Sequence, residues 1–234
     1  MLKQPLSWRI LCQGRYVSDM EIFICLLAGY LVGSINPSYL ISRAKGFDIR
    51  EKGSGNAGGS NALIMMGKTI GAICILFDIF KAYAIIKLTM YLFPDSRYAF
   101  AITACSSILG HMFPFYMRFR GGKGLACMAG ALLAYSPVIF LIALLVEAVL
   151  AFSLDYICVI PISASVVLPI LYGFFENDYF GALFMAITGI AVILKHRENI
   201  RRVKNGTELH LSFLWNKEKE IARVQEAIDN GNKI

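Results

Sequence analysis

Few charges interrupt this chain: acidic and basic residues make up only 17% of its 234 positions, against 57% hydrophobic ones, and mean hydropathy is +0.59. That balance excludes an ordinary soluble domain, in which roughly a quarter of residues are charged. The cysteine pattern lacks metal and disulfide signals as well. Cys12, Cys25, Cys74, Cys105, Cys127 and Cys158 form no CxxC and no Cys/His ligand spacing. All but the first lie in or beside apolar runs, where a free thiol behaves as a small hydrophobe. No disulfide framework, structural metal or cofactor is expected. A complete GxxxxGK[ST] nucleotide loop is missing too, because Ala62 stands where Gly67-Lys68-Thr69 needs its upstream glycine. The chain has no internal repeat and no low-complexity linker, and nothing points to a nucleic-acid partner.

What the chain has instead is apolar length. Spanning a bilayer takes about 20 predominantly apolar residues, and runs at 22–42, 71–92, 99–116, 125–134, 137–154, 156–175 and 180–194 supply the candidates. The pattern predicts an all-α, polytopic integral membrane protein of about seven transmembrane helices. The fourth run is short for a full crossing, and a five-span arrangement with two re-entrant runs keeps the same parity.

Lysine and arginine collect in cytoplasmic connections. Arg43, Lys45, Arg50, Lys52 and Lys68 lie in the first connection and Arg118, Arg120 and Lys123 in the third. Lys195, Arg197, Arg201, Arg202 and Lys204 open the tail, while the stretches around Asp95 and around Asp178 are neutral to acidic. The N-terminus is therefore expected outside and the C-terminus in the cytoplasm. Three units follow: an extension (1–19), a membrane domain (20–204) and a polar tail (205–234). The extension would carry Lys3, Arg9 and Arg15 across the membrane, so Met20 is a candidate start site; N-terminal sequencing that recovered Lys3 would contradict this. In the tail, Phe213, Leu214, Ile221, Val224 and Ile228 recur at helical spacing, which predicts an amphipathic helix on the membrane face or on the loops.

Three polar constellations interrupt the apolar runs. The first begins at Gly33-Ser34-Ile35-Asn36-Pro37, where a proline breaks a span and leaves polar groups to be satisfied. A serine there is commonly a packing residue, yet it is followed by Arg43, Asp48-Ile49-Arg50 and the run Gly53-Ser54-Gly55-Asn56-Ala57-Gly58-Gly59-Ser60-Asn61. Glycines let successive amides point at one anion, and Ser54, Asn56 and Asn61 add side-chain donors. The second comprises Gly110-His111-Met112-Phe113-Pro114 and Arg118-Phe119-Arg120-Gly121-Gly122-Lys123-Gly124, a glycine-rich turn at a helix start that adds the helix dipole to a lysine charge. The third is Lys195-His196-Arg197-Glu198-Asn199 through Arg202, then Gly206-Thr207-Glu208, richer in donors and acceptors than an orientation signal needs. Asp78 and Lys81, close on one helix, read as an intramembrane ion pair.

In this linked order the three blocks resemble the PlsY-type acyl-phosphate:glycerol-3-phosphate acyltransferases of bacterial phospholipid synthesis, over about residues 30–208. The resemblance implies attack by the sn-1 hydroxyl of glycerol 3-phosphate on the carbonyl of an acyl phosphate, releasing 1-acylglycerol 3-phosphate and phosphate. It implies catalytic roles for Ser34, Arg43, Lys123 and His196. Substrate contacts would come from Ser54, Gly55, Asn56, Asn61, His111, Arg120, Gly121, Gly122, Gly124 and Asn199. It also implies the bacterial plasma membrane as location, membrane lipids as surroundings, and the enzyme that makes the acyl phosphate as a partner. The HxxxxD pairing of another acyltransferase class is absent, since Tyr116 and Arg201 stand five positions after His111 and His196. No side-chain base is evident, so the leaving phosphate is expected to take the proton, and orientation and charge stabilisation carry the catalysis.

Two departures from the family pattern stand out: Ile64 occupies a position where members often carry arginine, and Asp155 lies where they carry an arginine and serines. An acid in place of a cation is expected to cost phosphate binding on the order of two or three decades. Two alternatives remain open at this point. One is a paralogue with changed or lost acyl transfer. The other is a small lipid transporter with a site at the Asn36-Pro37 break, although no symmetry between halves supports it.

Overall fold

The computed structural model describes residues 18–231, and among them all regular structure is helical. The proposed start at Met20 turns on residues 1–17, which lie outside that range. Helix α1 (Asp19–Ser34) opens at Ser18, whose hydroxyl accepts the Glu21 amide at 3.2 Å, with Asp19 and Glu21 favourably placed in the first turn. It stops at the predicted break. Asn36 then caps α2 (Pro37–Ala44), its side chain accepting the Tyr39 amide at 2.8 Å while Pro37 occupies the first turn, where a missing N–H costs nothing.

The remaining helices are α3 (Gly59–Met66), α4 (Lys68–Leu92), α5 (Ala99–Met112), α6 (Leu125–Tyr135), α7 (Pro137–Leu154), α8 (Val159–Glu176), α9 (Tyr179–Lys195), α10 (Arg197–Lys204) and α11 (Lys217–Gly231). Five segments are long and apolar enough to span: Asp19–Ala44, Lys68–Leu92, Ala99–Met117, Pro137–Leu154 and Val159–Glu176. Helices α9 and α10 meet at a 49° bend and would count as a sixth only if taken as one span, and α6 is a shorter apolar helix. Every predicted apolar run is therefore mainly helical, the first as two helices broken at Ile35-Asn36. Because there is no hydrophobic drive between helices in lipid, close packing of small residues holds them together. A Cβ on Gly33 of α1 would lie 2.1 Å from the Ser107 carbonyl oxygen of α5, and one on Gly110 of α5 would lie 2.3 Å from that of Tyr30. Helix α7 is the opposite case: Leu141, Leu145, Val149 and Phe152 are exposed and only Ala151 is buried, as for a helix facing acyl chains.

Contacts sort the connections to two ends. At one, Arg50 Nη1 donates to the Met117 carbonyl at 2.7 Å, Lys123 Nζ donates to Asn199 Oδ1, and the Leu211 amide donates to the Asp155 carbonyl at 3.0 Å. At the other, Arg97 donates to the Asn177 carbonyl and Tyr135 to Glu176. The basic connections share the first end, as the charge pattern predicts. The tail differs in detail from its predicted pattern. Phe213 and Leu214 belong to a 3-10 turn (Leu211–Leu214) ahead of α11, and Ile221 and Ile228 on α11 are exposed.

Candidate active site

The first glycine loop is built around two buried amides. Asn61 Oδ1 accepts the Ser54 amide at 2.9 Å, and its Nδ2 donates to the Ile49 and Lys52 carbonyls at 3.0 Å each. Asn36 Nδ2 donates to the Ala57 carbonyl at 2.7 Å. Asn61, predicted to touch substrate, therefore spends its side chain on the loop backbone. Gly53 and Gly55 have φ of +59° and +69°, so the chain turns back on itself there, leaving Ser54 and Gly55 exposed and Asn56 half-buried at the tip. Asp48 accepts from Arg50 Nη2 at 2.6 Å and Nε at 2.9 Å. That guanidinium holds the Asp48 carboxyl down at about 2, with a smaller contribution from Arg43, which is exposed at the end of α2.

Ser34 closes α1, buried, with its hydroxyl donating to the Tyr30 carbonyl at 2.7 Å. The carbonyls and amides freed at the break find partners, as a helix interrupted in a membrane requires. Tyr116 donates to the Ser34 carbonyl at 2.8 Å and accepts the Asn36 amide at 3.1 Å, and Lys81 Nζ donates to the Ile35 carbonyl. Lys81 also pairs with Asp78 Oδ1 at 2.6 Å, both side chains almost fully buried. His111 joins them: its Nδ1 lies 3.4 Å from Asp78 Oδ1 and 3.2 Å from Lys81 Nζ. The expected ion pair is thus a three-member cluster between α4 and α5. Asp78, His111 and Cys127 bring three potential ligand atoms within 4.8 Å of one another, and the Lys81 ammonium adds a positive charge to the same cluster.

His111 consequently faces inward. It supports the second loop from below, its carbonyl accepting the Gly122 amide at 3.1 Å, and a Cβ on Gly122 would lie 2.1 Å from its Nε2. Gly121 is equally confined, with its would-be Cβ 2.1 Å from the His111 carbonyl oxygen. These contacts join Ser34 to the Lys123 loop through Ile35, Lys81 and His111. Gly124, at φ +94°, turns that loop into α6. Arg118 and Arg120 are exposed beside it.

Lys123 is the centre of the polar end. It donates to Asn199 Oδ1; Asn199 Nδ2 donates to Glu208 Oε1; and Glu208 Oε2 accepts from Arg202 Nε at 2.6 Å. Burial, then the Arg202 charge, pushes the Lys123 ammonium below the usual lysine range. Asn199 and His196 reach this point because α9 bends into α10. His196 pairs its Nδ1 with the Val192 carbonyl at 2.8 Å, which fixes the proton on Nδ1 and leaves the Nε2 lone pair for a hydroxyl. Burial holds the imidazole below its usual value, so it is neutral at pH 7.

Arg202 and Glu208 belong to the third polar block, but the sequence assigns Glu208 no role of its own. The signal lies in Gly206-Thr207-Glu208. Gly206, at φ +68°, donates to the Val203 carbonyl at 3.1 Å and Thr207 to that of Arg202 at 2.8 Å, a Schellman ending that turns the chain back along α10. Asp155, the acid expected to weaken phosphate binding, lies at the same polar end and holds the start of the tail. Its Oδ1 accepts the Leu211 amide at 3.1 Å and its Oδ2 lies 3.3 Å from His210 Nδ1.

An apolar cleft of about 760 Å³, open mouth included, runs between α5, α6, α8 and α9. Ile108, Met128 and Val192 line it toward the polar end, and Phe100, Tyr135 and Tyr172 toward the other. Val192 is also the residue that holds His196, so the cleft starts one helical turn from the imidazole.

The model of the family described as glycerol-3-phosphate acyltransferase matches residues 23–206. A glycerol-3-phosphate acyltransferase of Lactiplantibacillus plantarum is 34% identical over 208 residues, covering 87% of this chain and all of the relative. That of Bacillus subtilis is 32% identical, covering 83% of this chain and all of the relative. Among solved structures, PlsY (YgiH), an integral membrane glycerol 3-phosphate acyltransferase, is similar in its glycerol 3-phosphate form, with 33% identity and a TM-score of 0.73 over 82% of this chain and 96% of that one. Its lysophosphatidic acid form gives a TM-score of 0.70 with the same coverage. With its three polar blocks gathered at one end of a helical membrane bundle, the chain belongs to the glycerol-3-phosphate acyltransferase family.

Proposed function

We propose that the protein transfers a fatty acyl group from an acyl phosphate to the sn-1 hydroxyl of glycerol 3-phosphate at the cytoplasmic face of a bacterial cell membrane. The observation that carries this reading is the position of Lys123, tied to Asn199 and beside a neutral His196, where an apolar cleft meets the polar end. The acyl chain occupies the cleft, and the two phosphates lie among the cations of the three loops. Lys123 and the α6 N-terminus stabilise the acyl phosphate, whose leaving phosphate gains charge as the bond to the carbonyl breaks. Ser34 and Arg43 border the donor side, and the tip of the glycine loop at Ser54, Gly55 and Asn56 contributes donors.

On the acceptor side the His196 Nε2 lone pair receives a hydrogen bond from the attacking hydroxyl, and Asn199 and the arginines near it, with Arg120 of the second block, orient glycerol 3-phosphate. The oxygen–carbonyl bond forms, the carbonyl–phosphate bond breaks, and the hydroxyl proton leaves on the phosphate. A buried imidazole below its usual range is a weak base, which favours orientation over proton removal. The solved relative in its glycerol 3-phosphate and lysophosphatidic acid forms supports this acceptor and product.

The donor is tested by giving purified protein labelled glycerol 3-phosphate with palmitoyl phosphate, palmitoyl coenzyme A or palmitoyl carrier protein, and resolving the product regioisomers. The reading expects 1-acylglycerol 3-phosphate from the acyl phosphate, with equimolar phosphate. Product from a thioester alone, or acylation at sn-2, would overturn it.

A further inference from the structure

Residues beyond the family match, which ends at 206, are tied to the same centre. Arg223 on α11 reaches back with Nη1 to the Gly206 carbonyl at 2.7 Å and with Nη2 to the Glu208 carbonyl at 2.6 Å. Its Nε and Nη2 also meet Glu220 Oε1 at 2.9 and 2.6 Å. Glu220 is nearly buried; Oε1 accepts the His210 amide at 2.8 Å and Oε2 the Ser212 hydroxyl at 3.3 Å. One ion pair on the tail helix therefore grips the backbone on both sides of Thr207, plus residues 210 and 212. The carboxylate carried by that backbone holds Asn199 and Arg202, and Asn199 holds Lys123.

A solvated amphipathic helix needs none of this. Arg223 commits its donors to two main-chain carbonyls and one carboxylate, and a planar guanidinium is the side chain able to meet all three in fixed geometry. Each bond is to backbone or charge, so the position of Glu208 is set by more than the Schellman turn. We propose that Glu220 and Arg223 form a clamp that positions Glu208, and through it Asn199 and Lys123, making the C-terminal helix a working part of the acyltransferase site. Arg223 and Glu220 are then positioning residues: they touch no substrate, and their effect passes through the Asn199 carboxamide. The role of Lys123 in this inference rests on the function proposed above, whereas the clamp itself is a statement about geometry.

The test uses full-length protein carrying Arg223→Ala or Arg223→Lys, with two readouts. The first is kcat and KM for glycerol 3-phosphate beside the thermal midpoint. Misplacement of a catalytic group by an ångström costs up to about a hundredfold, so Arg223→Ala is expected to lose roughly tenfold or more in kcat/KM with an unchanged midpoint. Arg223→Lys, which retains charge and some donors, recovers part of the loss. The second readout does not depend on turnover: the rate at which Lys123 is modified by an amine-reactive reagent, followed by mass spectrometry. Release of Asn199 exposes the ammonium, so the rate rises in Arg223→Ala and returns toward the original in Arg223→Lys. If the parent protein fails to use acyl phosphate, the function proposed above falls while the labelling still decides the clamp. Equal labelling rates in all three proteins, or an activity loss that merely tracks a lowered midpoint, would overturn the clamp.

Discussion

Replacing Lys81 with methionine keeps the length of its apolar stem and removes one charge from inside the bundle. The ammonium lies 2.6 Å from Asp78 and 3.2 Å from His111, in a cluster whose lysine and aspartate side chains are 3% and 1% exposed. Breaking a buried pair by removing one partner costs about 3–5 kcal/mol, because the remaining charge loses compensation without regaining water. For a domain of this length each kcal/mol lowers the thermal midpoint by about 2–4 °C. The expected drop for Lys81→Met in detergent is therefore roughly 6–20 °C. Combining it with Asp78→Asn removes the acid that Lys81→Met leaves with only His111 beside it, and the double variant should recover most of the loss. It should stop short of full recovery, because the Ile35 carbonyl still lacks its donor, which is worth about 1 kcal/mol. Activity should follow stability only in part, since His111 and the Ile35 carbonyl link this cluster to the Lys123 loop and to Ser34. A double variant less stable than Lys81→Met, or a single variant as stable as the parent, would refute the reasoning.

Two further predictions concern the loops. The folded-state pKa of Asp48, about 2, lies below the value near 3.9 expected for the unfolded chain, so its contribution is complete above about pH 5 and is lost as pH falls toward 2. Thermal midpoints of the parent and Asp48→Asn should therefore differ at neutral pH and converge at the acid end; a gap independent of pH would contradict this. Asn199→Ala and Glu208→Gln interrupt one chain of hydrogen bonds at adjacent links, so their losses in kcat/KM should be strongly non-additive in the double variant. Additive losses would mean that Glu208 acts on something other than Asn199.

Much of this architecture is legible in the sequence because membrane helices must be long and apolar and their basic connections must share a side. The break at Asn36-Pro37 is equally legible, since proline cannot continue a helix but starts one well. Side-chain direction is not. Asn61 and His111 have the chemistry of substrate ligands, yet one is consumed by the Ile49, Lys52 and Ser54 backbone and the other by Asp78 and Lys81. The inward turn of His111 depends on Gly122 lacking a Cβ, a condition visible only when the two segments are in contact. The contact of Glu208 with Asn199 is illegible for a similar reason: the Schellman turn at Gly206 brings it back beside Asn199, against the direction of the chain. The partners of Asp155 were equally out of reach, since its carboxylate meets Leu211 and His210, more than fifty residues on.

The central claim is that Lys123 serves the reaction rather than merely tying α6 to α10. Phosphate release from palmitoyl phosphate, with and without glycerol 3-phosphate, tests it directly in the parent and in a folded, monodisperse Lys123→Ala variant. The account predicts release that depends on the acceptor in the parent and collapses by at least about two decades in the variant. Comparable acceptor-dependent release in both proteins would contradict it.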